Sequence, residues 1–168
     1  GVVGASNGPD WEEYKHQCHT IIDCGNYGTI NRLTGAYAGG IVGFFKGNIY
    51  SSFNKGNIIS EDRVVGGIVG QVDGSIISCY NVADIIGDNN VGGISGIISL
   101  GNIINSYSIA NLTGDYSVGT FYGYSPSTKI ENCYSKENEF NAESLGSAFK
   151  DDYEEESINE GYPILSWQ

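Results

Sequence analysis

The side chains best suited to metal or acid–base chemistry gather in one short stretch. His16-Gln17-Cys18-His19, followed by Cys24, offers imidazole and thiol groups of the kind that hold zinc. The spacing fits no closed Cys/His frame, and adjacent side chains rarely reach one ion together. No metal and no cofactor is therefore expected. The same stretch carries Trp11, Glu12, Glu13 and Tyr14, which with His16 and His19 form the candidate binding residues. Catalytic signatures are missing from the sequence. It has no His-Glu-x-x-His, no Gly-x-Ser-x-Gly elbow and no P-loop. Polysaccharide-cleaving sites need carboxylates and a basic group along one face. Asp73, Asp84, Asp88 and Arg63 sit at turns of different repeats, so no catalytic residue is assigned.

Composition bounds the partners. The chain has 168 residues, with 20 acidic against 8 basic side chains and a formal net charge of -12. That balance argues against binding nucleic acid or an anionic membrane. No apolar run approaches the ~18 residues of a membrane span. Gly is abundant at 25 residues, and Met is absent, so the chain reads as a processed product or a fragment of a longer parent.

Those side chains must be positioned by a repeat. Ala38-Gly-Gly-Ile-Val-Gly, Val65-Gly-Gly-Ile-Val-Gly, Val91-Gly-Gly-Ile-Ser-Gly and the degenerate Val118-Gly-Thr-Phe-Tyr-Gly start 27, 26 and 27 residues apart. Gly1-Val2-Val3-Gly4 fits the same frame. Later in each unit, Ile49, Ile76, Ile103 and Ile130 precede Ser52, Cys79, Ser106 and Cys133 by three residues. Phe53, Tyr80, Tyr107 and Tyr134 follow, then Asn54, Asn81, Ser108 and Ser135. Ile21, Cys24 and Asn26 supply the first unit. Ile30, Ile58, Ile85 and Leu112 make a third apolar position. Each apolar stretch is strand-length, and one unit cannot bury its apolar face alone. Stacked at ~4.8 Å, equivalent residues form ladders, and Asn54 and Asn81 can share amide hydrogen bonds at a corner.

Cys24, Cys79 and Cys133 share one position but lie two coils apart. That is ~9.6 Å, beyond the ~7 Å a disulfide allows, so they read as small core residues. A bridge from Cys18 to Cys24 stays open. The aromatic ladder could face inward as core or outward as a platform for sugars or peptide; the sequence favours the core.

Two segments depart from the repeat. The first unit carries an insertion over Pro9–His19, a loop that either covers apolar surface or binds a ligand. After residue 140 the repeat fades, and 10 of the 20 acids lie between Glu131 and Glu160. This segment is expected to cap the last coil with Phe149, Tyr162, Ile164, Leu165 and Trp167. The chain enters within a repeat, so further coils or domains are expected upstream in the parent.

The Gly-Gly-Ile-Val-Gly blocks and Ile76-Ile77-Ser78-Cys79-Tyr80-Asn81 resemble GLUG-motif repeats, as does the ending Gly161-Tyr-Pro-Ile-Leu-Ser-Trp-Gln. The resemblance implies a bacterial secreted or cell-surface protein, as in adhesins and the non-catalytic repeat regions of IgA1-cleaving metalloproteases. Residues and resemblance together lead to one expectation. It is an all-β, right-handed parallel β-solenoid of about five coils with three short strands each over residues 1–140, and an acidic cap over 141–168. The expected role is a non-catalytic extracellular binding module or rigid spacer, with a host glycan or extracellular protein as partner. The alternative is a fragment of a β-helix polysaccharide lyase or hydrolase.

Overall fold

The computed structural model describes residues 3–5, 19–32, 35–61, 63–152 and 157–168. Their strands stack in parallel as a β-solenoid of about four turns, with three to four strands per coil. The anticipated ladders stand in register. Ile21, Ile49, Ile76, Ile103 and Ile130 pair in succession. So do Phe53, Tyr80, Tyr107 and Tyr134, and likewise Ile30, Ile58, Ile85 and Leu112. Val3 pairs with Val42, as the N-terminal repeat frame requires.

Two details of the expectation change. The Gly-Gly turn divides one apolar stretch into two strands, such as Val64–Gly66 and Val69–Asp73, which raises the strand count per coil. The coil count falls because the chain leaves the stack after Tyr134–Ser135. It then forms a short helix, Ala142–Leu145, and an antiparallel pair of Phe149–Lys150 with Ile164–Leu165.

Inside the coils, Ile41, Val42, Phe45, Ile49, Ile68, Val69, Val72, Ile76, Ile94, Ile98 and Ile103 pack with Cys79 in one buried cluster. A smaller one joins Ala38, Ile58, Val65, Ile85 and Val91. Full burial of an Ile or Val contributes about 1.5–3 kcal/mol, so these ladders supply most of the cohesion.

Polar ladders run beside them. Asn26 Nδ2 donates to Asn54 Oδ1, and Asn54 Nδ2 to Asn81 Oδ1, each at 2.8 Å. Each of these amides also closes its own turn, donating to the carbonyl two residues on and accepting that turn's N–H. At other corners Ser75 N–H donates to Asn48 Oδ1, Asn102 N–H to Ser75 Oγ and Lys129 N–H to Asn102 Oδ1. Asn57, Asp84, Asn111 and Lys136 form a comparable row. Side chains thus bind coil to coil where the backbone turns and strand pairing lapses.

Cys24, Cys79 and Cys133 are free thiols. Cys24 and Cys79 alternate with serines: Cys24 N–H donates to Ser52 Oγ and Cys79 N–H to Ser106 Oγ. Burial pushes the Cys79 thiol up to about 12 and Cys133 to about 11. Alkylation of Cys79 at pH 8 is therefore expected only on unfolding; rapid labelling of native protein would contradict its core position. Ser52 and Ser106 donate their hydroxyls to Tyr50 O and Ile104 O. A Cys79→Ser hydroxyl can bond to Ile77 O in the same way. It should shift the melting temperature by only a few degrees, about 1 kcal/mol or less.

Candidate binding face

The aromatic ladder decides where a binding face can lie. Tyr80 and Asn81 are neighbours in one strand, so their side chains face opposite ways. Cys79 packs with the core isoleucines, and Asn81 packs against Gly67, so the rings point out of the coils. The rings are core, as the sequence favours, but core outside the coils: only the inward direction changes, because isoleucines on both faces left parity unsettled. Phe53 and Tyr80 stack with centroids 5.2 Å apart, and Tyr80 and Tyr107 at 5.0 Å and 1°.

These outward rings are nevertheless buried, because the C-terminal segment lies along them. Phe140 stacks on Tyr134 at 5.3 Å. Ala142, Leu145, Phe149 and Leu165 join the cluster with Phe53, Tyr80 and Tyr107. Trp167 reaches Phe53 at 5.7 Å, and its Nε1 donates to Ser51 O. The segment is a lateral strap running back toward earlier coils, rather than a plug across the last one. Phe149, Tyr162, Leu165 and Trp167 all serve the strap. The last coil keeps its core positions partly open: Ile130 is 41% exposed and Val118 44%, whereas Ile103 and Val91 are fully buried. Covering these outward rings stabilises the strap by about 1.5–3 kcal/mol per ring.

Polar contacts hold the strap in place. Tyr107 Oη donates to Pro163 O and accepts from Asn159 Nδ2, and Tyr80 Oη donates to Gln168 Oε1. Lys55 Nζ donates to Ile158 O at 2.6 Å and lies 5.8 Å from the Phe53 and Tyr80 centroids. Burial lowers the Lys55 pKa, opposed by Asp152 and Glu160. Asp152 is the hub of the segment. Its carboxylate accepts from Ser157 Oγ and from the N–H groups of Ile158 and Asn159. Desolvation raises its pKa, but these hydrogen bonds outweigh it and hold the group below the ordinary value.

A carboxylate with a lowered folded pKa stabilises above its unfolded pKa and loses that contribution as pH falls through the folded one. The strap should therefore hold from neutral pH down to about pH 4 and loosen below it. Melting temperatures at pH 5 and pH 3 test this against Asp152→Asn. The wild type should lose stability over that interval by a margin that the variant lacks; equal losses would remove Asp152 as the cause.

Trp11, Glu12, Glu13, Tyr14, His16 and Cys18 lie outside the described residues. His19 begins the strand His19–Ile22, exposed and opposite Gly47. Asp84 accepts from Asn111 Nδ2, and Asp73 ends the strand Val69–Asp73. Among the described residues, no group of three or more His, Cys, Asp or Glu side chains could hold a metal ion.

The exposed aromatic cluster at the first rung was not legible as a site in the sequence. Gly25 occupies the rung before Phe53, and a Cβ there would run into the Phe53 ring. Tyr27 packs edge-on against Phe53 at 5.2 Å, and Trp167 approaches it at 5.7 Å. Tyr27 is 68% exposed and Trp167 46%.

Fold and face define the class of protein: a parallel β-solenoid with a laterally strapped aromatic ladder. Comparison with protein families, with curated proteins and with solved structures finds no match for the chain.

Proposed function

We propose that this chain is a non-catalytic extracellular module of a bacterial cell-surface protein, GLUG-like, serving as a rigid spacer that carries an adhesive face. The observation that carries the reading is that most of the buried polar side chains among the described residues hold coils or strap. Asn54 and Asn81 bind coil to coil, Ser52 and Ser106 tie the corner next to the cysteines, and Asp152 and Asn159 fasten the strap. Side-chain bonds running along the solenoid axis resist bending and shear, as a spacer requires. A host glycan or extracellular protein is the partner this reading implies.

Binding of the folded chain to an array of glycans and extracellular-matrix proteins tests the adhesive part, with a form lacking residues 9–19 alongside. Loop-dependent binding would place contact on the inserted loop. Turnover of a polysaccharide would overturn the non-catalytic reading.

A further inference from the structure

We propose that the exposed rings of Tyr27 and Trp167, which flank buried Phe53 at the end of the aromatic ladder, are a carbohydrate subsite that takes the apolar face of a neutral pyranose. The inference rests on the adhesive reading above and locates it on the lateral face instead of the inserted loop.

The strap covers the ladder from Tyr107 through Tyr80 to Phe53, where its last ring, Trp167, is half exposed. There the sides of the Phe53 ring pass to Tyr27 and Trp167, leaving Phe53 only 1% exposed while its two neighbours stand open to solvent. Both outer rings are held rather than loose. Trp167 is anchored by its Nε1 hydrogen bond of 3.0 Å to Ser51 O, and Tyr27 by its edge contact with Phe53. Rigid, half-exposed aromatic rings offer contact area at little conformational cost on binding. A pyranose presents axial C–H groups on one face, which suits an exposed aromatic ring.

Charge selects within the sugars. The chain carries a net charge of -12, and Asp152 and Glu160 are the acidic groups acting on nearby Lys55. Lys55 donates its ammonium to Ile158 O, so it is already committed to the strap. Uronic or sulfated sugars are disfavoured, and neutral hexose or N-acetylhexosamine chains remain.

The test titrates cello-, galacto- and N-acetylglucosamine oligosaccharides, with oligogalacturonate as the anionic arm. Calorimetry and the indole N–H resonance of Trp167 provide the readouts; Trp167→Phe assigns that resonance against Trp11. A neutral oligosaccharide should shift the Trp167 resonance, and Tyr27→Ala should weaken its binding tenfold or more with melting nearly unchanged. Tyr27 is largely exposed, so this variant keeps the fold intact. Glycan binding that survives both Tyr27→Ala and Trp167→Phe overturns the subsite and leaves the adhesive reading standing. Equal response to oligogalacturonate overturns the neutral-sugar assignment. Binding to matrix proteins with no response to any sugar also overturns the subsite, whereas binding to nothing on the array overturns the adhesive reading with it.

Discussion

Gly67→Ala should leave little folded protein. A Cβ at Gly67 would overlap the carbonyl oxygen of Gly93 on the next coil and lie 2.5 Å from the Asn81 side-chain amide. Neither neighbour can yield. The carbonyl belongs to the backbone of the adjacent coil, and Asn81 is fully buried and bound to Asn54. The expected loss exceeds ~4 kcal/mol, a large part of the ~5–15 kcal/mol that holds a typical domain together. Gly161→Ala is the comparison. Gly161 has φ of 83° but nothing within 4 Å of a built Cβ, so only the backbone penalty of ~1–2 kcal/mol applies. Urea unfolding of the two variants separates the effects. Similar midpoints would show that the Gly-Gly blocks serve turn conformation alone.

Asn54→Ala should cost roughly 3 kcal/mol or more, because it strips partners from buried polar groups on both sides. Asn81 Oδ1 loses the Asn54 donor, and both the N–H and the carbonyl of Gly56 lose their side-chain partner. Asn26 loses its acceptor on the outer coil. The ladder also predicts a gain. Ser108 pairs with Asn81 in the next coil and sits against Gly93 as Asn81 sits against Gly67. Ser108→Asn should add one more amide step and stabilise by about 1 kcal/mol. Thermal melts of both variants decide the matter. A destabilised Ser108→Asn would mean that amide stacking is incidental to the fold.

The two variants also show why the motif has its composition. Gly40 faces Asn54, Gly67 faces Asn81 and Gly93 faces Ser108, so the second glycine of each block makes room for the polar residue across the coil. Sequence reading found both repeats. That their glycines and polar residues are sterically paired across the interior needed the tertiary structure, since the members lie 14 or 15 residues apart and touch only after the coil closes. The corner residues behave differently. Asp23, Ser51, Ser78, Asn105 and Asn132 all have positive φ at one corner, and the Asp and Asn members of that row tolerate it best.

A period of 26–27 residues was enough by itself to determine the stacking, the register of every main ladder and the buried fate of Cys79. The reason is that identical units can bury their apolar faces only against one another, in phase. The direction of the aromatic ladder, the path of the C-terminal segment and the exposed cluster of Tyr27 and Trp167 were decided by tertiary structure alone. Parity along a strand is ambiguous when isoleucine occurs on both faces, as at Ile76 and Ile77. The non-repeating segment could have covered either the open last coil or the lateral rings. It lies along the three stacked rings, which carries Trp167 back to Phe53 across 114 residues of sequence.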